Sequence, residues 1–471
     1  MTAITSQLAE FIAAMSYESL PAAVRERTKA LVLDVTGIML RARYDAQSTP
    51  AMLAAAARLG FAGGKCTVIA DDAGYTPAGA AMLNGTLAHS LDFDDTHAPG
   101  SLHPSAPIVP AAFAAAEMSS ADGKAVIAAI VAGYEVQIRL SLALNPAAHY
   151  DRGFHPTATC GAFGAAAAAG RLLGLTAQGH AEAFGIVLSM ASGSMQFLVN
   201  GAWTKRSHVG HAAMCGLTAA TLASEGYKGA SEAVEGKWGF LHAYAPAADS
   251  AKVLDCLGQR WETLKIAVKP YPSCRYSHAA IDGLLALASA HDLKADEVQE
   301  VVVGLPQAGW KIIGDPAPAK QSPQSVVDGQ FSMAFCAAVA LRTGNFVWDD
   351  YARHLTDPAT LALCKKVRTH IDPRADADFP AEMSASVAVK TARGMFETYV
   401  KVPKGEPANF LSPAQLRAKF DGLVAPYLSA QRRDELASAL LALDTARDIG
   451  AVLRLTRSQA GGARLVAAAG R

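Results

Sequence analysis

What the chain lacks narrows it first. Acidic and basic residues balance at 42 each over 471 residues, so no global charge draws the chain to nucleic acid or to an anionic membrane. Charged residues make up only 18 %, below the usual quarter or so, while hydrophobic residues reach 51 %. Scarce charge with abundant alanine points to helix packed on helix and to a broad interface between subunits. The seven cysteines are scattered with no CxxC pair, so neither a zinc site nor an iron–sulfur cluster is indicated. The dinucleotide fingerprint GxGxxG is absent, and Gly63-Gly64-Lys65 is no phosphate loop because no glycine stands five positions before Gly64. No apolar run approaches the ~18 residues of a membrane span; the longest, such as Ala125–Tyr134, suit a buried helix. The opening MTAITSQLAEFIAAMSYE has no basic n-region and no Arg-rich amphipathic pattern, so a reduced cytoplasm is the expected setting.

A chain of this length exceeds what one hydrophobic core usually supports, and two domains are expected. Apolar spacing predicts helices over 5–17, from Pro21 on, and over 50–59, then one through Leu83 and Leu87. The next helix is expected to restart near Pro110, a residue suited to a first turn, and to stop near Ser119. Further helices are read over 124–144, closing at Asn145-Pro146, then from Thr176 as N-cap, and from Thr204 to near Gly226. Glycine and alanine crowd 161–170, which permits very close helix packing. Nothing in this part reads as a strand. The character changes near residue 268. EVQEVVVGL (297–305) reads as β, four prolines between 306 and 323 mark a loop, and a helix is expected over 325–342. Ser384–Pro403 alternates on both sides of Arg393-Gly394, as a hairpin does. The predicted fold is mostly α: a large all-helical domain from 1–267, an α/β domain over 268–405, and a helical segment 406–471 returning to the first.

One stretch is richest in chemistry. Between the helix through Leu87 and Pro110 stand Asp92, Asp94, Asp95, His97 and His103, with Thr96 among them. Other histidines lie beside basic residues: Lys205-Arg206 before His208 and His211, and Lys269 with Arg275 before His278. His155 precedes Pro156. In a charge-poor chain, basic groups paired with histidine near helix starts suit a multiply charged carboxylate, with a proton donor and acceptor at hand. Each item has a plainer reading. The aspartates could cap helices, or hold a divalent cation through oxygen ligands. His155 could be a loop histidine and Lys205-Arg206 an exposed helix start. Cys274 is an isolated thiol, more often inert than nucleophilic.

NGTLAHSLDFDDTH with HPS, then HPTATCGAFGAAAAAGRLLGL, KRSHVGHAA, KPYPSCRYSH and DGQFSMAF follow the order found in the MmgE/PrpD family, and the chain resembles that family from about residue 5 to residue 445. Members include 2-methylcitrate dehydratase, cis-aconitate decarboxylase and iminodisuccinate epimerase. The resemblance implies a helical domain of N- and C-terminal parts, a smaller α/β lid, a homodimer, and a site between domains without metal or organic cofactor. It also implies a small polycarboxylate substrate, with no nucleic acid or membrane partner. By motif, Asp92 and Thr96 match the family's active-site Asp and Thr, His103 the HPS histidine, and His155 the HPT histidine. Lys205 matches the lysine before the next histidine, and His278 the lid histidine. The expected catalytic set is His103, Asp92, Thr96, His155 and Lys205. The expected substrate-binding set is Arg206, His208, Lys269, Arg275 and His278. Proton movement at carbon falls to His103, carboxylate binding to His155 and Lys205, and orientation to Asp92 and Thr96. The alternatives are an epimerase in the same pocket, a metal-dependent enzyme using the Asp92–His103 cluster, and a non-catalytic dimer that binds carboxylates. Two departures stand out: the APGSL spacing before HPS, and Ile312 near the place where animal cis-aconitate decarboxylases carry a lid tyrosine.

Overall fold

The computed structural model describes residues 3–199 and 201–457. The chain divides into two compact units, one up to Ala267 and again from Leu416, the other Val268–Gln415. The fold is mostly α, with a smaller α/β part.

The first unit is built around Pro156–Leu172, nearly every residue of which is buried. It packs against Gly123–Leu144, Ser105–Ser119 and Thr204–Ser224. Glycine makes these approaches possible. A Cβ on Gly164 would lie 2.6 Å from the Gly133 carbonyl oxygen, so the two backbones touch. Pro77–His89 and Thr204–Ser224 meet the same way: a Cβ on Gly85 would lie 2.8 Å from the Gly210 Cα. That crossing sets the C-terminal end of one helix beside the N-terminal turns of the other.

Two sequence expectations need correction here. Pro110 does not open its helix, which starts at Ser105 and carries Pro110 inside. The start is set from outside, because Asp95 takes the Ser105 N–H at 3.0 Å and also binds its hydroxyl. An orphan donor at a helix start is thereby satisfied by a distant carboxylate, which local spacing does not show. The first part is also not wholly helical, since Ala62–Thr67 pairs antiparallel with Gly74–Tyr75. The strand AGGKCT has little apolar alternation to reveal it, and the Gly64 backbone lies directly against the Tyr75 carbonyl. The apolar run read as a buried helix is one: Gly123–Leu144 is by length and composition able to cross a membrane, yet 89 % of its apolar window is buried inside the protein. It holds buried Glu135 and Arg139, the latter donating to the carbonyls of Asp255 and Arg260 at 2.7 Å each. It is a core helix.

In the second unit four strands run in the order Val367–Ile371, Glu300–Leu305, Ala385–Thr391, Gly394–Val400. The first pair is parallel and the others antiparallel, with Thr391 opposite Gly394 in the hairpin. Helices His278–His291 and Met333–Thr343 pack in the same unit. Sequence reading missed the edge strand Val367–Ile371, whose VRTHI buries only Val367. The proline-rich stretch is not an open loop, since Gln307–Gly309, Trp310–Gly314 and Ala317–Lys320 form short helical turns. The helix expected over 325–342 is two, Val326–Gln330 and Met333–Thr343, because Ser332 breaks the first and caps the second, accepting from the Phe335 N–H at 2.9 Å.

Candidate active site

His89 is the last residue of Pro77–His89. The chain then turns through Asp92, in the left-handed region at φ 51, and brings Asp94 back beneath the helix end. His89 Nδ1 lies 2.7 Å from Asp94 Oδ2, with both side chains fully buried. His103 Nδ1 lies 3.3 Å from the same oxygen, a close ion-pair distance without hydrogen-bond alignment. The His89 and His103 rings meet edge-on at 4.7 Å. His155 stacks beyond His89 at 5.8 Å, His208 stands 5.8 Å further on, and the Phe197 ring lies 6.0 and 5.9 Å from these two. Four imidazoles thus form a row, His103–His89–His155–His208, whose first two members share the Asp94 carboxylate.

Different elements deliver them. His155 occupies the N-cap position of Pro156–Leu172 and its N–H donates to the Gly193 carbonyl at 3.0 Å. The His103 N–H donates to Thr157 Oγ1 at 3.2 Å, which ties its loop to the same helix start. His208 comes from the first turns of Thr204–Ser224. The first turn of that helix also brings Lys205, whose ammonium reaches Asp92 Oδ1 at 2.7 Å. Arg206 turns aside, donating to Ser48 Oγ at 3.0 Å.

The three aspartates therefore have separate fates. Asp92 pairs with Lys205, Asp94 lies between two imidazoles, and Asp95 anchors the Ser105 helix start. Thr96 exchanges both backbone hydrogen bonds with Ala267, at 2.9 and 2.7 Å. His97 is structural, its Nδ1 accepting from the Gly100 N–H at 3.0 Å and its Nε2 lying 3.3 Å from Glu262. Lys269, Arg275 and His278 belong to the second unit, all buried there. Arg275 pairs with Glu406, and His278 Nε2 lies 3.2 Å from the Ser273 carbonyl with Tyr271 edge-on at 5.5 Å. Cys274 is buried beside them. Asp94 stands in the acidic cluster read from sequence and His89 in the same stretch, but neither belongs to the expected catalytic or substrate-binding set, although His89 and His103 meet on Asp94. The signal was an imidazole in a helix's last turn with an acid five residues on, across a turn.

Burial is the largest influence on His89, His155 and His208. It pushes His89 down to about 4 against the pull of Asp94, and holds His155 well below the usual histidine value, with His89 and Lys205 adding to the effect. Asp94 is opposed by its own burial, yet His103 and His89 hold it well below the usual carboxylate range. Burial lifts Asp95 to about 7, despite the hydrogen bonds from Ser105. Burial thus favours the neutral form of His89, His155 and His208 and leaves the Asp94 carboxylate ionised between two rings. His89 Nε2, Asp94 Oδ1, His155 Nδ1 and His208 Nδ1 are buried and receive no hydrogen bond from the protein. Polar atoms so placed gain most from a ligand that supplies the missing partners.

His89, Asp94 and His103 each offer a ligand atom within 4.8 Å of the others. Two ligands bound tetrahedrally at about 2.1 Å stand about 3.4 Å apart. The 2.7 Å between His89 and Asp94 is the spacing of a hydrogen bond, so a cation would have to part them.

Buried neutral histidines also set an acid limit on stability. His180, outside the site, is fully buried with neither ring nitrogen bonded, and burial pushes it to about 4. A group lowered on folding contributes stability above its unfolded value of about 6.5, lost as pH falls toward 4. At pH 5 the loss from His180 is about 2 kcal/mol. The melting temperature is expected to fall between pH 7.5 and 5, and His180→Leu to lessen that fall. An identical pH dependence in the variant would contradict this.

Two family models account for most of the chain, the MmgE/PrpD N-terminal domain over residues 6–252 and the MmgE/PrpD C-terminal domain over 271–444. The chain belongs to the MmgE/PrpD family. It is 28 % identical to a cis-aconitate decarboxylase-like protein of Aspergillus oryzae, over 96 % of this chain and 97 % of the relative. It is also 28 % identical to a cis-aconitate decarboxylase of Aspergillus terreus, over 96 % and 95 %. The cis-aconitate decarboxylase of Mus musculus matches at 26 %, over 81 % and 78 %. With these relatives, the protein is an enzyme of the lyase class.

Proposed function

We propose that the protein is a cofactor-independent lyase that removes CO2 or water from a small di- or tricarboxylate such as cis-aconitate, through proton transfer at a carbon next to a carboxylate. The observation that carries this reading is the row of four imidazoles, two of which meet on Asp94, with Lys205 and Asp92 beside it. When a β,γ-unsaturated acid loses CO2, the electron pair of the broken bond shifts into the neighbouring double bond. The charge then rests on the carbon next to a remaining carboxylate, which must take up a proton. Dehydration makes the mirrored demand, removing a proton at such a carbon as hydroxide leaves. Both need a proton mover and fixed positive charge or hydrogen-bond donors where negative charge develops.

His103 moves the proton in this proposal. Its ring is only partly buried, unlike those of His89 and His155, and Asp94 orients it from the far side. Lys205 and His155 hold carboxylates, His208 extends that surface, and Asp92 and Thr96 fix the loop and its partner lysine. The alkyl part of a substrate would lie against Phe197. A homodimer belongs to the same proposal, and light scattering should give twice 49.0 kDa.

The test is proton NMR of EDTA-treated protein in D2O with citrate, 2-methylcitrate, cis-aconitate and N-substituted aspartates. Loss of CO2 or water from one acid is the expected result. Deuterium uptake without a new product would replace the lyase by an epimerase, and activity appearing only with added Mg²⁺ would overturn cofactor independence.

A further inference from the structure

The loop carrying Asp92, Asp94 and Thr96 is held from behind by a residue 326 positions further along the chain. Lys419 lies on the helix Pro413–Val424. Its ammonium donates to the Phe93 carbonyl at 3.0 Å, lies 3.9 Å from the centre of the Phe93 ring, and stands 2.7 Å from Asp34 Oδ1. The two charged side chains are 5 % and 1 % exposed. Asp34 comes from the interior of Ala22–Asp45.

Stability alone is a poor reason for such a pair. Desolvating two charges offsets most of their attraction, and well-packed apolar residues of similar size often do as well or better. What an apolar pair cannot do is donate a hydrogen bond to one chosen carbonyl. Phe93 stands between Asp92, which pairs with Lys205, and Asp94, which meets His89 and His103. A shift of that peptide moves both carboxylates together. The loop's other end is already fixed, by the exchanged hydrogen bonds between Thr96 and Ala267 and by Arg27 donating to the neighbouring Ile266 carbonyl. Lys419 supplies the hold at the end that faces the reacting groups. Burial raises the Asp34 carboxyl, and Lys419 opposes that rise, which accords with a cation kept in place by a costly anion.

We propose that Lys419 is a positioning residue, which holds the Phe93 carbonyl and thereby sets Asp92 against Lys205 and Asp94 against His89 and His103. Only the catalytic consequence rests on the function proposed above; the tether itself does not.

Two variants separate positioning from mere structure. Lys419→Met removes the donor, and kcat on the acid turned over is expected to fall about 100-fold, as an ångström of misplacement does. Asp34→Asn leaves the donor in place, and kcat should stay within about threefold of wild type even where the melting temperature drops. Lys419→Arg, which keeps the charge and the donors, should recover most of the lost kcat. Should the unpaired Asp34 prevent Lys419→Met from folding, the double variant Asp34→Asn/Lys419→Met removes that charge and should fold but remain slow. Equal loss of kcat in Asp34→Asn and Lys419→Met, or full activity in the double variant, would overturn the proposal. Hydrogen exchange over residues 90–104 gives a reading without substrate. Exchange there should accelerate about tenfold or more in Lys419→Met and in the double variant, and not in Asp34→Asn; unchanged exchange in both overturns the tether. If wild type turns over none of the acids, the function fails while the exchange result still decides the role of Lys419.

Discussion

Replacing His103 by asparagine is expected to lower kcat by about 10²–10⁴-fold, the span that a positioned general acid or base contributes. The fold should survive. The His103 N–H still donates to Thr157, its carbonyl still accepts from Gln137, and its ring is not part of the closed core. The oligomeric state should therefore match wild type, and the melting temperature should fall only by what His103 adds to the hold on Asp94. KM should change little if the carboxylates are held by Lys205 and His155 rather than by His103, so the loss would appear in kcat and in kcat/KM alike. Near-normal turnover in this variant would end the assignment of His103 as proton mover, whatever the substrate.

Asp94→Asn is the second large effect, and it reaches both activity and stability. The carboxylate is fully buried and is approached by His89 at 2.7 Å and by His103 at 3.3 Å, so it fixes which nitrogen of each ring faces it. An amide is nearly the same shape but presents donors as well as acceptors, and it removes the anion. Where a buried carboxylate orients a catalytic imidazole in serine proteases, the same change lowers kcat by about 10⁴-fold, and a loss of about 10²–10⁴-fold is expected here. Stability should also fall at neutral pH. A carboxyl held below its unfolded value stabilises the fold above that value, and the contribution is lost as pH falls through the folded value. The gap in melting temperature between wild type and Asp94→Asn should therefore be present at pH 7 and close in acid. Full activity in Asp94→Asn, or a gap that widens in acid, would contradict this account. Asp92→Asn provides the contrast, because its partner is Lys205 rather than an imidazole. It should act through carboxylate binding, raising KM more than it lowers kcat.

Asp92 and Asp94 also show where sequence reading reaches its limit. DFDDTH announces a concentration of acids beside a helix end, and spacing cannot say which acid faces which partner. One residue in the left-handed region, Asp92, sends neighbouring carboxylates toward Lys205, toward the imidazoles and toward the Ser105 helix start. The partners lie on other elements, so the division is invisible locally. Pro110 teaches the same lesson. Its chemistry favours a first turn, but Asp95 caps the chain earlier and the proline is absorbed into the helix. His89 belongs to that histidine-bearing stretch yet has no role in the sequence reading, for the opposite reason. It sits in an ordinary helical position, and only the turn that returns Asp94 to its ring makes it part of the row.

By itself the sequence determined the class of fold and the kind of chemistry. Apolar spacing, the glycine and alanine of 161–170, and the alternation around Arg393-Gly394 are local properties of neighbouring residues, and so they survive in one dimension. The ordered motifs around His103, His155, Lys205 and His278 carried the family. Tertiary structure alone decided which carboxylate meets which imidazole, and that Lys419 lies behind the loop. It also decided that four histidines from three stretches of the chain meet ring to ring. The glycine contacts at Gly85 and Gly210 decide the crossing that sets His89 beside the helix start carrying Lys205 and His208. The pKa values follow from that enclosure, because burial and the field of nearby charges are properties of the packed interior and not of the residues themselves.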